Sequence, residues 1–223
     1  MQRSIILGIG GVVVGLVIGF YGANALNRQQ PTTTADPGQT VDPQVADQAT
    51  APGGVQSDVN DTLQKAEGEP QNFAAQMKAG DMYAQISRFD KAVEFYKRGI
   101  LINPGNFQAN IVLANALFDS QKFEEAEGYY AKALQIDPKD INARTDLGTT
   151  FVERSSPDYP RAITEFRKAL EIDPKHAPAL YYLGIAYLRK GDKDEANKAL
   201  GELEKANPTS DLISRLKQNL DAQ

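Results

Sequence analysis

The chain has no cysteine and one histidine, His176. Without thiols there is no disulfide framework, no thiolate zinc site and no cysteine nucleophile. One imidazole excludes a multi-histidine metal centre. A basic patch is missing as well. Residues 27–69 carry two basic side chains, Arg28 and Lys65, against seven acidic ones, and the net charge of the whole chain is −5. The remaining chain is nearly neutral, so nothing gathers the lysines and arginines that phosphate neutralisation requires, and no nucleic-acid partner is expected. There is no Walker-type glycine loop, and strand-like alternation is absent from about residue 71 onward.

Against these absences stands one long apolar run. Ile5 to Leu26 is 22 residues without a charged side chain. As a helix it would span roughly 33 Å, enough for a hydrocarbon core of about 30 Å. Residues 1–26 are therefore expected to be an N-terminal transmembrane anchor, with membrane contact through residues 5–26. The competing reading is a cleaved signal peptide, for which Arg3 supplies the basic start and Ala23-Asn24-Ala25 the small-x-small pattern. Arg3 and the terminal amine before the span, against Arg28 after it, favour a cytoplasmic N-terminus and an extracytoplasmic remainder, periplasmic in a bacterium. Gly11, Gly15 and Gly19 share one face of such a helix. They offer a helix-association surface, hence a route to a homo-oligomer.

Residues 27–70 are rich in Pro, Thr, Gln and Asp, with Pro31, Pro37, Pro43, Pro52 and Gly53-Gly54. Few large apolar residues are present to offset the entropy of ordering, so a flexible linker is expected. Its root-mean-square span is roughly 35–40 Å. Within it, Asp58 to Ala66 has the pattern of a short helix with Val59 and Leu63 on one side. Pro70 stands where it would end a degenerate helix preceding the repeats.

The repeats are marked by Asn103-Pro104, Asp137-Pro138, Asp173-Pro174 and Asn207-Pro208, spaced 34, 36 and 34 residues apart. A period near 34 residues implies a helical array whose units bury their apolar faces only against neighbours. Each first helix carries an apolar-small pair and a bulky residue three further on: Ala79-Gly80 with Tyr83, Leu113-Ala114 with Leu117, Leu147-Gly148 with Phe151, Leu183-Gly184 with Tyr187. The second helices repeat Ala92, Tyr96, Gly99; Ala126, Tyr130, Ala133; Ala162, Phe166, Ala169; and Ala196, Leu200, Leu203. Small residues let two backbones approach, and the bulky residue fills the space beside them. Proline then disfavours helical geometry in the residue before it and ends the second helix.

This pattern resembles the tetratricopeptide repeat over about residues 71–208. The resemblance implies an all-α, right-handed α-solenoid of four helix pairs, at about 73–106, 107–140, 141–176 and 177–210. Three departures stand out. The leading aromatic is replaced by Gln76, Asn110, Arg144 and Leu180. The third unit is two residues longer, with Ser155-Ser156-Pro157-Asp158-Tyr159-Pro160 at its inter-helix turn. The fourth closes on Leu200 and Leu203. A capping helix is expected at 210–223, with Ser210 as its N-cap and Leu212, Ile213, Leu216 and Leu220 on one stripe.

The resemblance further implies a concave groove lined by the first helices. Its candidate partner-binding residues are Met77, Asp81, Gln108, Ile111, Asn115, Phe118, Asp119, Asn142, Thr145, Thr149, Tyr181 and Arg189. Asp81, Asp119 and Glu153 occupy places where a carboxylate-binding clamp would want cations, so the groove suits a neutral or basic, partly apolar segment. Asn115 and Asn142 are placed to hydrogen-bond a peptide backbone. No catalytic residue, metal or cofactor is expected. His176 reads as a solvent-exposed turn residue, and the Glu124-Glu125-x-Glu127 cluster as acids at a helix start. A non-catalytic, membrane-tethered adaptor that binds a protein or peptide is the leading functional expectation, similar to repeat modules of c-type cytochrome assembly, secretion or outer-membrane machinery. A self-associating assembly component and an import-receptor-like protein on an organelle surface are the alternatives.

Overall fold

The computed structural model describes residues 52–222, and among them only helices and turns occur. The ten helices are α1 (Pro52–Gly68), α2 (Phe73–Gln85), α3 (Phe89–Ile102), α4 (Phe107–Asp119), α5 (Phe123–Ile136), α6 (Ile141–Glu153), α7 (Tyr159–Ile172), α8 (Ala177–Lys190), α9 (Lys193–Ala206) and α10 (Asp211–Asp221). Each packs chiefly on its sequence neighbour, and α8 also touches α6 and α10. That nearest-neighbour pattern is what a solenoid of helix pairs requires. The apolar span 5–26, its glycine face and the first part of the linker lie outside the described residues. Among the described residues no helix is long and apolar enough to cross a membrane.

The expectation for the linker needs correcting over its last third. Residues 52–68 form α1, longer than the Asp58–Ala66 segment that the apolar pattern suggested. Its Ala66 is fully buried beside Ala75, Ala79 and Phe95, with Leu63 against the same cluster. The helix therefore plays the part of a preceding second helix for the first unit. Composition alone argued for a tether; a neighbouring apolar face supplies the burial that the segment lacks by itself.

Capping explains most helix starts. Asn72, Asn106 and Asp140 accept from the backbone N–H three residues on, at 3.1, 2.8 and 2.6 Å. Asp158 and Asp192 do the same for α7 and α9. Each cap satisfies one of the donors that a helix start leaves free. The inter-helix turns share a second device. In units one, two and four the N–H of Arg88, Lys122 and Asp192 reaches back to the carbonyl of Tyr83, Leu117 and Tyr187 at 2.8–2.9 Å. These are six-to-one Schellman closures, and each needs a left-handed residue in the turn. Ser87 (φ 58°), Gln121 (φ 59°) and Gly191 (φ 92°) fill that place. In the third unit the equivalent residue is Pro157, whose ring forbids positive φ. The two extra residues circumvent this: the N–H of Asp158 bonds Phe151 O at 2.9 Å, and α6 and α7 stay whole.

The core repeats along the array. Tyr130 and Phe166 are fully buried, Tyr96 nearly so, and Ala92, Ala126, Ala162 and Ala196 are all at zero exposure. At Gly148 the ring of Phe166 comes so close that an added Cβ would lie 2.5 Å from it. The last unit is closed by α10, whose buried Leu216 and Leu220 face the apolar end. Its other face is polar, as a cap requires.

Candidate partner-binding groove

The first helices α2, α4, α6 and α8 carry the candidate groove residues, and the structure divides them into two kinds. Some polar groups are already committed. The Tyr96 hydroxyl donates to Asp81 Oδ1 at 2.7 Å, and the Tyr130 hydroxyl donates to Asn115 Oδ1 at 2.6 Å. Both acceptors sit 15 residues before their tyrosine, on the facing helix of the same unit. Asn115 was expected to serve a partner's backbone; its carbonyl accepts from a core tyrosine, and its amide NH2 has no partner among the described residues. Thr145 and Thr149 are buried and return their hydroxyls to Ile141 O and Thr145 O, at 2.8 and 3.0 Å. Tyr181 is buried as well, with the edge of its ring pair to Tyr182 at 5.0 Å and the Arg215 guanidinium 5.2 Å above it. Arg189 pairs with Glu153 at 2.9 Å.

Other positions keep their capacity. Gln108 is exposed and Asn142 half-buried, and neither side chain has a hydrogen-bond partner among the described residues. Met77 and Ile111 are half-buried apolar side chains packed on the edge of the core. The Phe118 ring meets Phe123 edge-on at 5.1 Å. Burial pushes the Asp119 carboxyl up to about 6. Of the three acids expected in the groove, Asp81 and Glu153 are thus engaged, and Asp119 has no hydrogen-bond or ion-pair partner among the described residues.

Sequence reasoning missed Asp146. Burial first, then the neighbouring Asp140 and Asp119 carboxylates, raise it to about 7. Its field and that of Asp119 add to burial in raising Tyr130, and Asp146 contributes likewise at Tyr182. The signal was present in the sequence: an acid flanked by residues that the repeat pattern buries, next to Leu147. Two carboxyls with raised pKa values, one within the other's field, favour a proton or a cationic side chain beside them.

His176 is another correction. It is half-buried at the N-cap position of α8, where it makes no capping bond, and its Nδ1 is buried without a partner. Burial, opposed by the Asp173 carboxylate, holds its pKa below the usual value. The proline-ended turn that was read as solvent-exposed is covered because the next helix starts immediately after it. No group of His, Asp and Glu among the described residues is arranged to hold a metal ion.

Comparison with known proteins places this geometry. The family model described as "Tetratricopeptide repeat" matches residues 87–148 and 155–220, together more than half of the chain. A search of curated proteins returned no match. Among solved structures, YrrB, described as a TPR protein with an unusual peptide-binding site, superposes with a TM-score of 0.65 at 18% identity. That match covers 90% of this chain and 98% of YrrB. MamA gives a TM-score of 0.64 at 20% identity, covering 76% of this chain and 97% of its own. A MamA fragment from Desulfovibrio magneticus RS-1 gives 0.64 at 17% identity, covering 75% and 94%. At these identities the likeness shows the fold.

Proposed function

The chain belongs to the tetratricopeptide repeat family, and from that membership we propose that it is a non-catalytic adaptor that holds a protein segment against the concave face of its first helices. One observation carries the reading. The open polar groups Gln108 and Asn142, the apolar edges of Met77 and Ile111, and the uncommitted carboxyl of Asp119 all lie on consecutive first helices. A neutral to basic, partly apolar segment suits that set. Its apolar side chains would cover Met77 and Ile111, and a cationic one would meet Asp119 and Asp146. The peptide-binding site described for YrrB agrees with this use of the fold.

The same proposal includes tethering. The uncharged run 5–26 would anchor the protein as a single-pass membrane protein with the repeats extracytoplasmic, periplasmic if the source is bacterial. The residues before α1 would let the array reach a partner near the membrane. The apolarity and length of the run support this reading. Protease protection of the repeats in sealed cells would test the topology.

Binding is tested by photo-crosslinking in the full-length chain. A crosslinker at Gln108 or Asn142 should capture a discrete protein partner. The same group at Leu101, 84% exposed on the second helix α3, should not. Capture from Leu101 alone would move the binding face off the groove.

A further inference from the structure

The groove changes charge sign along its length. Its middle is acidic. Asp119 closes α4 and Asp146 sits on α6, and neither carboxyl has a hydrogen-bond or ion-pair partner among the described residues. The cations nearest to them in sequence are committed elsewhere: Lys122 pairs with Asp90 at 2.7 Å and Arg144 with Glu165 at 2.8 Å. The fully buried Tyr130 spends its hydroxyl proton on Asn115 Oδ1, so it offers these carboxyls nothing. After burial, the fields of Asp146 and then Asp119 raise that hydroxyl, which puts both acids at one place on the groove floor.

The far end is basic. Arg189 on α8 pairs with Glu153 at 2.9 Å, which cancels its charge. Arg215 on α10 has no carboxylate partner among the described residues. Its guanidinium stands 5.2 Å from the centre of the Tyr181 ring, itself a groove residue and buried. Burial raises the Tyr181 hydroxyl, and Arg215 and then Arg189 oppose that rise. The neighbouring Tyr182 lies between the two ends: burial, Tyr181 and the Asp146 carboxyl raise its hydroxyl, and Arg215 opposes them. One strip of the groove therefore runs from two unmatched acids to one unmatched guanidinium. An incoming chain that carries both signs matches that strip, whereas a purely basic one meets repulsion at Arg215 and a purely acidic one at Asp119 and Asp146.

We propose that the groove takes an extended protein segment of mixed charge, with a lysine or arginine over Asp119 and Asp146 and an aspartate or glutamate at Arg215. This rests on the groove reading above and adds the direction in which the segment lies. Packed helix axes are about 8–10 Å apart, so two first-helix steps, from α4 and α6 to α8 and α10, measure roughly 16–20 Å. Extended chain rises about 3.3 Å per residue, which separates the two charges by about five or six residues. The carboxylate would meet the planar guanidinium of Arg215 through charge-assisted hydrogen bonds. A segment laid in the opposite direction would set like charges together at both ends.

The test pans a random-peptide library against the full chain in detergent micelles, and the enriched peptides are crosslinked through Gln108 or Asn142. The enriched sequences should share a lysine or arginine and an aspartate or glutamate about five or six residues apart. For one such peptide, Asp119→Asn/Asp146→Asn and Arg215→Gln should each weaken binding about tenfold in fluorescence anisotropy. Lys97→Gln, ion-paired on α3, should leave it unchanged. Arg215→Glu should reject the parent peptide and accept one whose acid is replaced by lysine; that rescue requires a folded variant, and circular dichroism checks the others. Peptides that crosslink in the groove without the charge pattern, or that bind Arg215→Glu unchanged, overturn the proposal and leave the groove reading standing. Enriched peptides that do not crosslink there, or no enrichment at all, overturn both.

Discussion

Into α2, α4 and α6 the array places Gln76, Asn110 and Arg144; into α8 it places Leu180. The polar three reach back to carbonyls at the end of the preceding pair. Gln76 Nε2 donates to Ala66 O at 2.5 Å, and Asn110 Nδ2 donates to Pro104 O and Asn106 O at 3.1 and 2.8 Å. Arg144 donates to Pro138 O at 2.6 Å and to Glu165 at 2.8 Å. Leu180 is 1% exposed and fills the equivalent space with methyl groups. Inside the units the contrast recurs. Tyr96 and Tyr130 each find an acceptor on the first helix, whereas the equivalent positions of the later units hold Phe166 and Leu200, which have no hydroxyl, with Thr149 and Ile185 at the acceptor's place in the repeat. The first two units are latched by directed bonds, and the last relies on packing. The difference teaches that a repeat position specifies a volume to fill, and that its chemistry is set by what the neighbouring backbone leaves unsatisfied.

The largest effect should come from truncating the apolar joint. Leu180→Ala is expected to lower stability by about 3 kcal/mol through lost burial and a cavity. Asn110→Ala should cost about 1–2 kcal/mol, because the net worth of its hydrogen bonds is modest. Urea unfolding followed by far-ultraviolet circular dichroism compares the two; equal losses would erase the distinction between the joints. A smaller effect isolates the latch inside a unit. Tyr130→Phe should cost about 1 kcal/mol by leaving Asn115 without its donor. The reverse change, Phe166→Tyr, should also destabilise, since Thr149 already spends its hydroxyl on Thr145 O. A stabilising Phe166→Tyr would show that the third unit can accept the latch. The smallest effect concerns the turns. Gln121→Gly should stabilise by up to about 1 kcal/mol, because Gln121 holds φ 59° where glycine is unstrained. A fall in melting temperature would mean that its side chain contributes more than the backbone strain removes.

Much of the fold was legible before any coordinates. The spacing of Ala126, Tyr130 and Ala133 identifies a helix face, and Asp137-Pro138 identifies its end; both depend only on local geometry. The capping role of Ser210 and the apolar stripe through Leu216 and Leu220 were equally local. The groove was less legible. Nothing within α4 distinguishes Asn115 from Gln108, yet a tyrosine fifteen residues away engages only the former. α1 was legible only in part, as the short helix Asp58–Ala66, for a related reason: a weakly apolar segment becomes a longer stable helix only where another surface accepts Leu63 and Ala66.

The sequence by itself determined the period, the helix ends, the absence of thiol and multi-histidine chemistry, and the uncharged run 5–26. Each of these depends on residues within a few positions of one another or on simple composition. Only the tertiary structure decided which polar groups remain available: that Asp81 and Asn115 are engaged, that Asp146 and Asp119 share one neighbourhood, and that Arg215 stands over Tyr181. Hydrogen bonding and desolvation depend on partners brought together from distant positions, and no linear spacing specifies those distances.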